Sequence, residues 1–385
     1  MIPHAMIPYT QSVASQEVPP PYHFPGVTVN GFVWEAHLDR VQEYCDTFLN
    51  LGDEKDRGFS YGPAPTWPYA VMLFIDYPVM MSATRTPENI LHATPYSDRG
   101  IVSQREVFVA LPVFRRGIGP GKLIAESTLE WALPFIVVNE PSSAVCGREM
   151  LGLEKLRALI QAAESSFPDS LRLHVSLPGW ASLKSTEMQG MMPFCDVDTG
   201  PLIPTFRGSP GTKSLWTLFR SRTARDLIDS VATVADFIET ISAGTMPTSM
   251  QTVSLKQFRD AAQPDKAIYQ ALVSCRSKYS QIENFQFYKE DDVHITFHEE
   301  GSFGETLRFV ELPPGNPSHD YAKGSKSFSP KAAFRFNANI DFDNMRTLHT
   351  FAVDRSPGVP PTKASSDLTA PWLRPWLGLF GQKTP

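Results

Sequence analysis

The sequence predicts a mainly β protein with a few helices, on three observations. Its 34 prolines are spread along 385 residues, which limits helix length and favours short strands joined by structured loops. Apolar runs such as Ala70–Ile75 and Leu133–Val138 have the length of buried strands and fall far short of a membrane span. One long segment, Thr223–Ala243, sustains a helical stripe through Leu227, Ile228, Val231, Val234, Ile238 and Ile241, with Gly244 placed to end it.

The elements follow in order. Residues 1–25, ending in Pro19-Pro20-Pro21, predict an extended arm. Val27–Trp34 alternates as a strand, and His37–Asn50 places Leu38, Val41, Cys45, Phe48 and Leu49 on one helical stripe. Asp53–Tyr61 is a charged, glycine-bearing loop. Ala70–Asp76, Glu106–Phe114 and Leu133–Asn139 are buried strands. Leu171–Val175 and Trp180–Glu187 suggest a hairpin, and residues 191–217, rich in Pro, Gly and Ser, an irregular insertion. Strands return at Ala271–Cys275, Asn284–Tyr288, Val293–His298, Thr306–Val310 and Ala332–Phe336. Residues 26–355 thus form one domain. The segment 356–385 is a Pro-rich tail whose Trp372, Trp376 and Phe380 favour docking over exposure.

Composition narrows the function. A content of 42 % hydrophobic and 20 % charged residues is that of a soluble globular protein. The net charge of -6, with no Lys/Arg run, argues against nucleic-acid partners. The absence of a basic-then-apolar leader and the scattering of Cys45, Cys146, Cys195 and Cys275 predict a cytoplasmic protein with reduced thiols. Gly117–Lys122 lacks the spacing of a phosphate loop, and no Gly-x-Ser-x-Gly elbow is present. His294 and His298 share one face of a strand without an obvious third ligand, so no metal is expected.

The chemistry concentrates in Gly147-Arg148-Glu149-Met150-Leu151-Gly152-Leu153-Glu154-Lys155-Leu156. A lysine held among apolar side chains can lose its proton near neutral pH, because desolvation disfavours the ammonium form. The free amine is then a nucleophile towards ketones. The competing reading uses Met150, Leu151, Leu153, Leu156, Leu159 and Ile160 as a helical stripe and leaves Lys155 on a wet face.

This segment resembles the acetoacetate decarboxylase family, whose pattern is Gly-Arg-Glu followed by Gly, an aromatic, Pro, Lys and a second basic residue. Glu106-Val107-Phe108-Val109-Ala110-Leu111-Pro112 resembles the strand on which the family carries a glutamate six residues before a proline, and Pro21-Tyr22-His23-Phe24 its entry into the first strand. The resemblance implies an antiparallel β-barrel or cone with a few helices. It also implies a homo-oligomer and a cofactor-free lysine enzyme acting on a β-keto acid or polyketide-like ketone; charge and the short apolar runs add that no nucleic-acid or membrane partner is expected. Lys155 takes the place of the nucleophile and Glu106 that of the acid/base, with Asp76, Arg105 and Arg148 as substrate-binding candidates. Decarboxylation is the first expectation and aldol, dehydration or cyclisation chemistry the second; a binding protein that lost the chemistry is the third. The sequence departs from the pattern at Glu154, at Leu156, and at Val27, where the family has a substrate-binding arginine.

Overall fold

The computed structural model describes residues 18–64, 68–82, 102–118, 124–163, 170–179, 190–202, 248–298, 307 and 325–351. Two compact units divide the chain: Met1–Lys256 with Ala271–Thr350, and Gln257–Gln270 with Phe351–Pro385.

The described strands are β1 (Tyr22–Glu35), β2 (Phe59–Pro63), β3 (Tyr69–Ser82), β4 (Val102–Ile118), β5 (Ile124–Val138), β6 (Lys155–Arg157), β7 (Leu159–Ala163) and β8 (Arg172–Pro178). They continue with β9 (Met191–Asp198), β10 (Thr248–Arg259), β11 (Ala267–Phe287), β12 (His294–His298), β13 (Ser325–Phe328), β14 (Ala332–Phe342) and β15 (Arg346–Thr350). The α-helices are short: α1 (Leu38–Tyr44), prolonged by a π turn at Cys45–Leu49, then α2 (Glu54–Arg57) and α3 (Pro141–Glu149). The mainly β expectation is met.

One sheet has the order β2-β4-β3-β1-β14-β11-β10-β5-β6, with β15 added on β11. Because β4 also pairs with β5, the pairings β4-β3-β1-β14-β11-β10-β5 return to their start and close a ring. Closure removes the open edges that a long apolar sheet would otherwise expose. Period-two alternation then decides what faces inward: Val29, Ile75, Phe108, Ile136, Phe336 and Ile340 belong to one buried cluster. Residues 69–75 are buried on both faces, which explains their unbroken apolar run. The buried Glu130 of β5 ties three strands, accepting from Tyr61 Oη of β2 at 2.7 Å and from Arg115 Nε of β4 at 2.9 Å. In the second unit, Asp260 takes backbone N–H bonds from Ala262 and Gln263 at 2.7 and 2.9 Å, shaping the β10–β11 turn.

The other sheet has the order β13-β12-β9-β8-β7. Here His298, weighed above as a metal ligand, has both ring nitrogens engaged: Nε2 with Asp196 at 2.7 Å and Nδ1 with Ser325 Oγ at 2.9 Å. Asp196 also receives His174 Nδ1 at 2.5 Å, and His174 Nε2 meets Ser176 Oγ at 2.9 Å. An ionised carboxylate only accepts, so both ring nitrogens facing it donate. Among the described residues no group of His, Cys, Asp or Glu is arranged to hold a metal. Burial raises the Asp196 carboxyl, but the hydrogen bonds and charges of His298 and His174 outweigh it and hold the group below the usual carboxylate range. A carboxyl depressed in the folded state contributes stability above its ordinary pKa and loses it as the pH falls through the folded value. Asp196→Asn should therefore flatten the acid limb of the stability curve below about pH 4. As Asp196 is 42 % exposed, solvent screening keeps the effect within about 1 kcal/mol. Urea titrations from pH 3 to 6, run for both proteins, check this; parallel acid limbs would refute it.

Several sequence expectations are corrected. Residues 150–160 are not helical: α3 stops at Glu149, and Lys155 lies on the short strand β6. The apolar spacing there serves two strands and a turn, in which Gly152 adopts φ +65°. β8 pairs with β9 across 172–198, so residues 191–198, expected to open an irregular insertion, form a regular strand. Asp53–Tyr61 contains α2, capped by Asp53 Oδ1 accepting from Lys55 N at 2.9 Å, and the start of β2. The strands expected at 271–275 and 284–288 merge into one strand, β11, which ends at Phe287 and whose register with β14 shifts between Ser280 and Gln286. The helix expected at 223–243, most of the strand at 306–310, residues 180–187 and the tail at 356–385 lie outside the described residues.

Candidate active site

Register brings Lys155 and Glu106 to one face. On β5, Ile136 pairs with Phe108 of β4 on one side and, in parallel, with Lys155 of β6 on the other. Directly opposed residues share a face, as do residues two apart on a strand. Glu106, two before Phe108, therefore joins Lys155 on the inner face. The side chains meet above Ile136: Lys155 Nζ donates to Glu106 Oε2 at 2.5 Å and to Ser143 Oγ of α3 at 3.2 Å. Both are buried, with the lysine side chain 7 % and the glutamate 6 % exposed.

The motif's glycines explain how the lysine gets there. Glu140 caps α3 by accepting from Ser142 N at 2.8 Å, and Pro141 opens the helix. At Gly147 a Cβ would lie 2.5 Å from Lys155 Cδ, so only glycine leaves a passage for the lysine stem. Leu153 N bonds to Gly147 O at 2.8 Å and Met150 N to Cys146 O at 2.9 Å, which folds the chain back after the helix. Strand β10 fastens this turn: Ser254 Oγ donates to Leu151 O at 2.9 Å and Lys256 Nζ to Met150 O at 3.2 Å. A Cβ on Gly152 would meet the Lys256 backbone at 2.8 Å. Burial lowers the Lys256 ammonium pKa, with Glu149 opposing.

Lys155, Glu106 and Ser143 line a cavity of about 670 Å³, mouth included, whose wall is mostly aromatic and aliphatic. Tyr77 donates to the second oxygen of Glu106 at 3.5 Å. Burial, then the Glu106 charge, push the Tyr77 phenol well above its ordinary range, and the same two causes raise Tyr279, also on the cavity wall. Both stay protonated and available as donors.

The remaining expected residues fall elsewhere. Asp76 opposes Arg105 in register, on the face of the sheet away from Glu106, and Arg105 Nε donates to its carboxylate at 3.3 Å. Each is over a third exposed and lines no part of the cavity. Arg148 is exposed near the end of α3, also off the cavity wall. Val27 is fully buried in the core cluster, and Leu156 points outward, one residue out of phase with Lys155. Tyr77 and Gln104 were missed by sequence reasoning, although each is two residues from a recognised inward position, Ile75 and Glu106. Ser143 carries no such signal.

Fold and site together define a β-rich protein with a buried lysine–glutamate pair on the wall of an apolar cavity. No family model matches the sequence, and no curated protein matches it. Among solved structures, the chain is similar to the enduracididine biosynthesis enzyme MppR with HEPES bound, at 13 % identity over 92 % of this chain and 98 % of that one, with a TM-score of 0.47. It is also similar to acetoacetate decarboxylase from Legionella pneumophila, at 10 % identity over 86 % and 89 %, with a TM-score of 0.45.

Proposed function

We propose that the protein is an enzyme that forms a Schiff base between Lys155 and a carbonyl substrate, a β-keto acid or a polyketide-like ketone. The observation carrying this reading is the buried Lys155 Nζ hydrogen-bonded to Glu106 at 2.5 Å on the wall of the cavity. Glu106 takes a proton from Nζ, and the free amine adds to the substrate carbonyl carbon. The carbinolamine loses water, with Glu106 returning the proton to the departing oxygen, and an iminium remains. In a β-keto acid the bond to the carboxylate then breaks, its electrons fall into the iminium and carbon dioxide leaves. Protonation of the enamine carbon and hydrolysis by water release the product and the amine. The protein is expected to act as a homo-oligomer and without a cofactor.

A second outcome, aldol or dehydration chemistry, uses the same iminium and enamine. It is favoured by the position of the arginines: Arg105 is spent on Asp76 and Arg148 faces outward, so neither offers its guanidinium to a substrate carboxylate.

Borohydride reduction in the presence of β-keto acids and ketones, followed by peptide mass spectrometry, tests the shared step. A reduced adduct on Lys155 in the wild type, absent from Lys155→Ala, is expected. A ligand that binds the cavity yet never becomes attached to Lys155 would rule the mechanism out.

A further inference from the structure

Two buried polar atoms on the cavity wall are poorly satisfied: Gln104 Oε1 makes no hydrogen bond among the described residues, and Tyr22 Oη has a thiol, Cys146, beside it. Their residues are only 3 % and 4 % exposed. A buried polar atom without a partner costs free energy, and in a native protein it calls for an explanation. Gln104 lies two residues before Glu106 on β4 and so shares its inward face, about 7 Å further along the strand. Tyr22, on β1, sits beside the Cys146 thiol of α3, a weak partner. The surroundings are aromatic: the Tyr22 ring centroid lies 5.8 Å from Phe24 and 6.1 Å from Phe342, and Phe24 lies 4.7 Å from Tyr77.

We infer that the substrate carries a hydroxyl group on an aromatic body, and that Gln104 and Tyr22 are the residues that select it. The carbonyl oxygen of Gln104 only accepts, so it requires a donor. The Tyr22 phenol, held protonated by burial, supplies a donor of its own. A substrate hydroxyl that reaches both donates to Gln104 and accepts from Tyr22. Flat aromatic carbon fits against the rings of Phe24 and Phe342. The inference rests on the Schiff-base reading only in placing the carbonyl at Lys155; the hydroxyl end stands on Gln104 Oε1, which lacks a partner among the described residues, and on Tyr22 Oη, whose partner is a weak thiol.

A matched ligand pair tests it. Calorimetric binding of para-hydroxybenzylacetone is compared with that of benzylacetone, which lacks only the hydroxyl. The hydroxylated ketone is expected to bind at least tenfold more tightly, as sites built around a substrate hydroxyl discriminate strongly against analogues without it. In Tyr22→Phe and Gln104→Met, both close in volume to the native residues, the ratio should fall towards one. Equal binding of the two ketones by the wild type would overturn the inference and assign the two atoms to ordered water. A preference that survives both substitutions would overturn the residue assignment. Borohydride trapping in the same samples separates the two proposals. A hydroxyl preference without a Lys155 adduct upholds the selection site and removes the Schiff base; an adduct without a preference does the reverse.

Discussion

Lys155→Met is expected to destabilise the fold by about 3–5 kcal/mol, because it leaves the Glu106 carboxylate buried without its cation. Among the described residues, Glu106 then keeps the long Tyr77 contact. The double variant Lys155→Met/Glu106→Met should recover most of that loss, since replacing both charges with apolar groups of similar volume is often neutral or stabilising. Both variants should be devoid of imine trapping. Urea denaturation of the two single variants and the double variant measures the coupling. Additive losses would mean that the two side chains do not form a pair in solution. The cycle also shows what the pair is for: if the apolar double variant is as stable as the wild type, the charges are kept for chemistry.

Gly147→Ala separates activity from stability in the opposite sense. In an ordinary helix the change is favourable by up to about 1 kcal/mol. Here the added methyl would lie 2.5 Å from Lys155 Cδ and 2.8 Å from Cγ and Cε, inside contact distance. The lysine stem must move, and with it the 2.5 Å bond to Glu106. A displacement of about 1 Å at a reacting group can cost two orders of magnitude in rate. Single-turnover trapping of a ketone should therefore slow roughly 100-fold, while the thermal midpoint changes little. A trapping rate within twofold of the wild type would refute the passage assigned to Gly147.

The expected strands at 70–76, 106–114 and 133–139 coincide with β3, β4 and β5, because a strand buried on both faces announces itself as an unbroken apolar run. The stretch after Gly147 misled for the converse reason. A three-residue strand is too short to show any period, and Met150, Leu153, Leu156 and Ile160 in and around it happen to fall at helical intervals. The pairing of Lys155 with Glu106 was reached through motif resemblance, since spacing alone cannot say that β4 and β6 flank β5. Register also decides against Asp76 and Arg105 as neighbours of Glu106: a shift of one residue along a strand moves a side chain to the other face. The His174–Asp196–His298 cluster was out of reach because its members lie on three strands, with Asp196 and His298 alone 102 residues apart.

The turn before Lys155 is fastened by Ser254 and Lys256, which lie 103 and 106 residues downstream of the carbonyls they hold. On the ribosome, where a chain grows at about 5–20 residues per second, the lysine emerges well before its clamp. Until β10 is made, that amine belongs to an unplaced segment and behaves as any wet lysine does. On the reading proposed above, its reactivity is acquired with the arrival of a distant strand, and a chain arrested before that point would carry the motif without that chemistry.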